Sequence, residues 1–198
     1  KVLCEQALEE EMPGRALHVR SGLIVGPFDP THRFTYWPVR VSRGGDMLAP
    51  EGPDLPIQFI DARDQAQWIL HMVEARKTGA YNVTSPWRDY TLGDLIDASM
   101  RVTGGSVTPV WVDGEFLIEQ QVAPWMGLPL WLPERAMNMS RVSVDKAVND
   151  GLHLRALDDT VRDTLVWFQN QAPQSWPAGI SEDKEQQVLA RWQSRQPE

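Results

Sequence analysis

The chain has 198 residues, 42% hydrophobic and 23% charged, with a formal net charge of -8. That length can bury a real core, and the acidic balance argues against nucleic acid or an anionic membrane as the main partner. Cys4 is the only cysteine, which excludes an internal disulfide and a cysteine-based metal site, and makes a reducing, cytoplasmic compartment the expectation.

Residues 2–12 place Leu3, Cys4, Ala7, Leu8 and Met12 on one helical face, with Glu5, Gln6, Glu9 and Glu10 outside it. This opening reads as an amphipathic helix, not a signal peptide, and no apolar run in the sequence reaches the roughly 18 residues of a membrane span. Pro13-Gly14 stops the helix. Residues 16–20 read as a strand that continues through Ser21, Gly22, Leu23, Ile24 and Val25 into a glycine-punctuated loop. Residues 31–43 are predicted helical, bent near Pro38 and ended by Gly44-Gly45. Residues 56–60 form a short strand. Asp61 caps the next helix, whose apolar face is Ala62, Ala66, Ile69, Leu70 and Val73.

Residues 79–84 read as a buried strand. Thr91 and Asp94 have the spacing of a capping box and open a helix bearing Leu92, Leu95, Ile96 and Ser99, closed by Gly104-Gly105. A strand over 108–112 and a helix over 114–121 follow. Residues 123–140, rich in Pro, Trp and Met, read as an irregular loop. Helices are expected at 144–149, at 157–169 with Val161, Thr164, Leu165 and Phe168 inward, and from a Ser181 cap to about Arg195. Strands alternating with helices make the class α/β. No G-x-G-x-x-G fingerprint occurs, so a dinucleotide pyrophosphate has no legible cradle in these residues.

The segment Arg20-Ser21-Gly22-Leu23-Ile24-Val25-Gly26-Pro27 resembles the Arg-Pro-x-x-x-Tyr/Val-Gly-Pro segment of extended short-chain dehydrogenases, the NAD-dependent epimerase/dehydratase type. In that family it follows the lysine of a Tyr-x-x-x-Lys motif by about twenty residues, and Lys1 stands 19 residues before Arg20. Phe59-Ile60-Asp61-Ala62-Arg63-Asp64 is similar to the family's Val-His-Val-Asp-Asp segment, Ala80-Tyr81-Asn82-Val83-Thr84 to its Tyr-Asn-Val-Gly strand, and Thr91-Leu92-Gly93-Asp94-Leu95 to its Thr-x-x-Glu-Leu helix start. Ser21 departs from the family's proline. The ordered set covers residues 1 to about 103; the tail carries no specific motif.

The resemblance implies the C-terminal part of a Rossmann-like doubly wound fold plus the smaller substrate-binding domain. Residues 1–103 would end the NAD(P)-binding domain, interleaved with substrate-domain elements. Residues 104–198 would be the substrate-binding domain and C-terminal helices, and the glycine-fingerprint half would precede Lys1. It implies an epimerase, dehydratase or reductase that uses NAD or NADP on a carbinol or carbonyl carbon of a small molecule such as a nucleotide sugar, with the intact protein a homodimer and the 198 residues alone inactive. The alternative is a non-catalytic member of the same fold that senses a ligand or a partner.

Lys1 becomes the catalytic candidate by this resemblance: its ammonium would hold the nicotinamide ribose and lower the pKa of a tyrosine four positions upstream. Lys1, Ser21, Gly22, Leu23, Ile24 and Val25 are the cofactor-binding candidates, Gly22 because it lets backbone approach closely. His32, Arg33, Trp37, Arg40 and Arg88 are candidates for the substrate, the arginines through anionic groups. Arg43, Trp125 and Trp131 are weaker choices of the same kinds. The four histidines have no metal-ligand spacing, and no metal is expected.

Overall fold

The computed structural model describes residues 1–138, 141–171 and 178–195. Its first half runs α1 (Val2–Glu11), β1 (Leu17–Ser21), β2 (Ile24–Val25), α2 (Tyr36–Ser42), β3 (Gly45–Pro50), β4 (Pro56–Ile57), β5 (Ile60–Asp61), α3 (Ala62–Glu74) and β6 (Gly79–Val83). The second half runs β7 (Tyr90–Thr91), α4 (Leu92–Thr103), β8 (Val107–Val112), α5 (Gly114–Glu119), α6 (Glu134–Met137), α7 (Asp145–Asn149), α8 (Leu157–Gln169) and α9 (Glu182–Gln193). The last two residues of the predicted 123–140 loop lie outside the described residues; the rest of it is irregular apart from the short α6.

Strand β1 pairs with β6, β2 with β5 and β3 with β8, all parallel, while β4 and β7 are antiparallel. Parallel neighbours require crossover connections, and helices supply them, so the architecture is α/β as expected. Strand β3 was not foreseen. It starts on glycine, ends on proline and lacks alternation because Met47, Leu48, Ala49 and Pro50 are all buried. Helix α2 is shorter than predicted and opens at Tyr36, since Pro30 and a left-handed His32 (φ 52°) precede it. Pro38 falls in its first turn, where a missing N–H breaks no helical bond. The predicted 56–60 strand is divided between β4 and β5.

Helix α4 forms as its sequence dictates. Thr91 Oγ1 accepts from the Asp94 amide at 3.1 Å, the Asp94 carboxylate accepts from the Thr91 amide at 2.8 Å, and Gly104 ends the helix at φ 65°. Its face of Leu92, Leu95, Ile96 and Ser99 is buried. It joins Phe34, Trp37, Val41, Met47, Leu48, Leu117, Trp131, Val161 and Val188 in the larger of two hydrophobic clusters. The buried pair Arg40–Glu185, at 2.7 Å, ties α2 to α9, and Glu185 also accepts from the Leu48 amide of β3 at 2.9 Å. The smaller cluster, Ile60, Trp68, Met72, Tyr81, Val83, Ala147 and Leu152, lies where α3, β6 and α7 meet.

Helix α1 reverses the face read from its sequence, and α3 departs from its predicted face while keeping Ile69 packed on the smaller cluster. Helix α1 buries none of its residues, and Leu3 is 78% exposed. Its contacts run through the glutamates assigned to the outside: Glu5 accepts from Arg20 at 2.5 Å, and Glu9 pairs with His18 at 2.7 Å. Helix α3 buries Asp64, Trp68 and Met72 and leaves Leu70 63% exposed and Val73 exposed. Polar partners select that face. Trp68 Nε1 donates to the Asp150 carbonyl at 3.1 Å, and Asp64 accepts from Arg155 at 2.8 Å.

Candidate functional site

The carboxyl ends of the parallel pairs β1–β6 and β2–β5 converge on one cavity of about 1030 Å³. Ser21 and Gly22 end β1, Thr84 follows β6, Pro27 follows β2 and Ala62 follows β5, and all five line it. Ligands of open parallel sheets bind at this end of the strands. Residues 21–25 form one wall; Phe28, Trp125, Leu132 and Val142 add apolar surface. Gly22 is required by Thr84: a Cβ at position 22 would sit 2.6 Å from Thr84 Oγ1, and Thr84 is buried and β-branched. Gln58 pins the far side, donating to the Ser85 and Val142 carbonyls and accepting from the Val142 amide at 2.8–3.0 Å.

The segment from Pro27 to Arg33 crosses the cavity as a tight loop. Asp29 Oδ1 accepts from the Thr31 amide at 2.8 Å and from its hydroxyl at 2.6 Å, and Thr31 Oγ1 accepts from Arg33 Nε at 3.2 Å. The Arg33 guanidinium lies over the Trp125 ring, 5.1 Å from its centroid. Phe28, His32 and Trp125 occupy the left-handed region, at φ 71°, 52° and 66°. Bulky side chains rarely sit there, and such strain concentrates at binding sites.

Of the residues singled out in the sequence, Ser21, Gly22, Leu23, Ile24, Val25, Arg33 and Trp125 are brought together in this cavity. Others are placed elsewhere. Lys1 is exposed at the start of α1 and is not among the lining residues. His32 is buried behind the loop, 5.9 Å from Trp167 and 5.7 Å from Phe168, centroid to centroid. Trp37 and Trp131 are core residues with no exposure, and Trp37 Nε1 donates to the Pro129 carbonyl at 3.0 Å. Arg40 is committed to Glu185 and Arg43 to Glu182, and Arg88 is exposed away from the cavity. Asp29, Thr31, Gln58 and Thr84 were missed. A glutamine inside an apolar strand, and a threonine ending a strand parallel to the glycine-bearing one, were the available signals.

Beside the cavity, Asp61 caps α3 and fixes α8 to it. It accepts from the Arg63 amide and side chain and from Thr160 at 2.7–2.9 Å, and Arg63 also pairs with Asp163. Burial pushes the Asp61 carboxyl up, but these hydrogen bonds outweigh it and hold the group below the ordinary carboxylate value. Burial is also the main cause that raises the phenols of Tyr36, Tyr81 and Tyr90, the chain's three tyrosines, above their ordinary value. None of them has the environment of an activated phenol. Among the described residues no group of three His, Cys, Asp or Glu side chains gathers to hold a metal, and no helix is long and apolar enough to cross a membrane.

No protein-family model and no curated protein sequence matches the chain. Solved structures do. RMD from Pseudomonas aeruginosa, complexed with NADPH, is similar at 14% identity with a TM-score of 0.57, over 85% of this chain and 53% of that one. Thermus thermophilus UDP-glucose 4-epimerase, in complex with NAD, gives 16% identity and 0.55 over 86% and 52%. The Bordetella bronchiseptica enzyme WbmF, in complex with NAD+, gives 16% and 0.55 over 97% and 54%. The fold is thus Rossmann-like, shared with these three proteins solved with NADPH or NAD, and the chain spans about half the length of each of them.

Proposed function

We propose that this chain supplies the nicotinamide-facing wall and the substrate side of an NAD(P)-dependent epimerase, dehydratase or reductase. The observation that carries the reading is the cavity at the carboxyl ends of β1, β2, β5 and β6, walled by residues 21–25. Its size suits a nicotinamide and a small substrate together. Bound NAD or NADP would supply hydride transfer; the protein's part is to orient the ring and substrate and exclude water. Backbone groups of residues 21–25 would hold the carboxamide. Lys1 would bind the ribose and favour the phenolate of a tyrosine four positions upstream. On this reading residues 1–103 end the nucleotide-binding part, 104–198 complete the substrate side, and the pyrophosphate cradle comes from a part of the fold these residues do not contain.

The neighbours support this reading through the cofactors named in their complexes, and UDP-glucose epimerases among them make a nucleotide sugar the first substrate class to test. A cytoplasmic setting fits the single thiol, Cys4. A homodimer through α1 fits the exposed Leu3 and Leu8; a monomer mass by light scattering at micromolar concentration overturns that part alone. The main test titrates the full-length protein with NADH and NADPH and follows nicotinamide fluorescence. Saturable binding of one, weakened by Gly22→Ala, is expected. Failure of both to bind sinks the enzyme reading and favours a non-catalytic module. Lys1→Met should lower turnover by about a hundredfold.

A further inference from the structure

Arg33 is a cation in a mostly apolar cavity wall. Among the described residues it is in no ion pair, and neither are Arg15, Arg76, Arg88, Arg135, Arg141 and Arg191; of these seven Arg33 alone lines the cavity. It is nonetheless held. Its Nε donates to Thr31 Oγ1 at 3.2 Å and its plane rests on Trp125, while its two terminal nitrogens meet no acceptor among the described residues. Thr31 is itself fixed by two hydrogen bonds to Asp29, which is 8% exposed. Trp125 is held at a φ of 66°, a conformation its side chain disfavours, and so presents its ring to the guanidinium.

A half-buried guanidinium loses hydration, and an unpaired one recovers little of it. A guanidinium tethered by Nε and stacked on a ring has its other nitrogens prearranged for two parallel bonds to an oxyanion. Asp29 does not pair with Arg33: Asp29 Oδ1 accepts from Thr31, the threonine hydroxyl accepts from Arg33 Nε, and Asp29 Oδ2 is buried with no hydrogen-bond partner among the described residues. We infer that Arg33 is an oxyanion subsite of the cavity, with Thr31 and Asp29 as its positioning residues and Trp125 as its platform. The substrate then carries a carboxylate or a phosphate within reach of the reacting carbon. This inference deepens the proposed function and rests on it for what the neighbouring wall binds, though not for the anion itself.

The experiment uses the full-length protein and follows Trp fluorescence and calorimetry with D-glucuronate, glucose 1-phosphate and D-glucose as probes. The two anions are expected to bind at least about tenfold more tightly than glucose, the worth of a charge-assisted hydrogen bond, and whichever anion binds better identifies carboxylate or phosphate as the group. Arg33→Gln should bring the anions to the level of glucose, and Arg33→Lys should recover part of the difference. Thr31→Val should weaken the anions severalfold and leave glucose unchanged, with Thr31→Ser restoring them. If Thr31→Val does not fold, the two Arg33 variants decide. Equal binding of anions and glucose, or anion binding that survives Arg33→Gln, overturns the inference. NADH and NADPH titrations run alongside separate the two readings. Nicotinamide binding with an anion-blind cavity leaves the cofactor reading and removes the subsite. Arg33-dependent anion binding without nicotinamide binding does the reverse.

Discussion

The two hydrophobic clusters were built by opposite rules. In the larger, apolar side chains set the faces around one buried ion pair, Arg40–Glu185: α4 presents its predicted stripe, and Trp37, Leu95 and Trp131 pack with no exposure. In the smaller, polar groups choose the faces. Asp64 and Trp68 turn α3 inward through Arg155 and the Asp150 carbonyl, and Glu5 and Glu9 hold α1 on β1. The apolar stripe of α1, and Leu70 and Val73 of the α3 stripe, are left outside. An amphipathic pattern therefore locates a helix reliably, but which face is buried depends on the partner it meets.

That contrast can be tested from its strongest point downward. Arg40→Met leaves Glu185 buried without its partner, and should cost about 4 kcal/mol in a urea titration; a loss under about 1 kcal/mol would mean that the larger cluster does not depend on its one buried ion pair. Leu95→Ala, in the middle of α4, should cost about 3 kcal/mol. Asp61 links α3 to α8, so Asp61→Asn should cost about 2 kcal/mol at neutral pH and also change the acid limb. A carboxyl held below its ordinary value stabilises fully above that value, about 3.9, and loses the contribution as pH falls through its lower folded value. Urea midpoints measured from about pH 6 to about pH 2 should fall in the parent and flatten in the variant. Leu70→Ala, on the stripe of α3 that the sequence assigned to the core, should change stability by less than about 0.5 kcal/mol. A cost of several times that, measured on the same chain, would show the stripe to be buried.

Much of the architecture was legible because its signals are local. The Thr91 and Asp94 capping box, the Asp61 and Ser181 caps and the 157–169 helix need no distant partner to be read. Strand β3 escaped because burial on both faces erases alternation. In the cavity, residues 21–25 were readable from a glycine on a strand exit and from the family resemblance. Thr84 and Gln58 were not, since they enter the site through pairings with residues far away in the chain. Trp37 and Arg40 failed for a related reason: a buried indole and a buried guanidinium look the same in sequence as a binding one, and only their partners, Pro129 and Glu185, separate the cases.

The parallel ladders have a consequence for how the chain reaches this state. Leu17 pairs with Gly79, and Gly45 with Val107, so each closure spans roughly sixty residues, with its entropy spent before any contact repays it. The two spans overlap, because β3 lies between β1 and β6 in sequence while its own partner lies beyond them. Each ladder's span thus encloses a strand whose partner lies outside it. Refolding should therefore be slow and concerted, with helices such as α4 forming early and the wall at residues 21–25 taking shape only when β1 meets β6. A ribosome would have to extrude the roughly sixty residues between β1 and β6 before the first of these ladders could close.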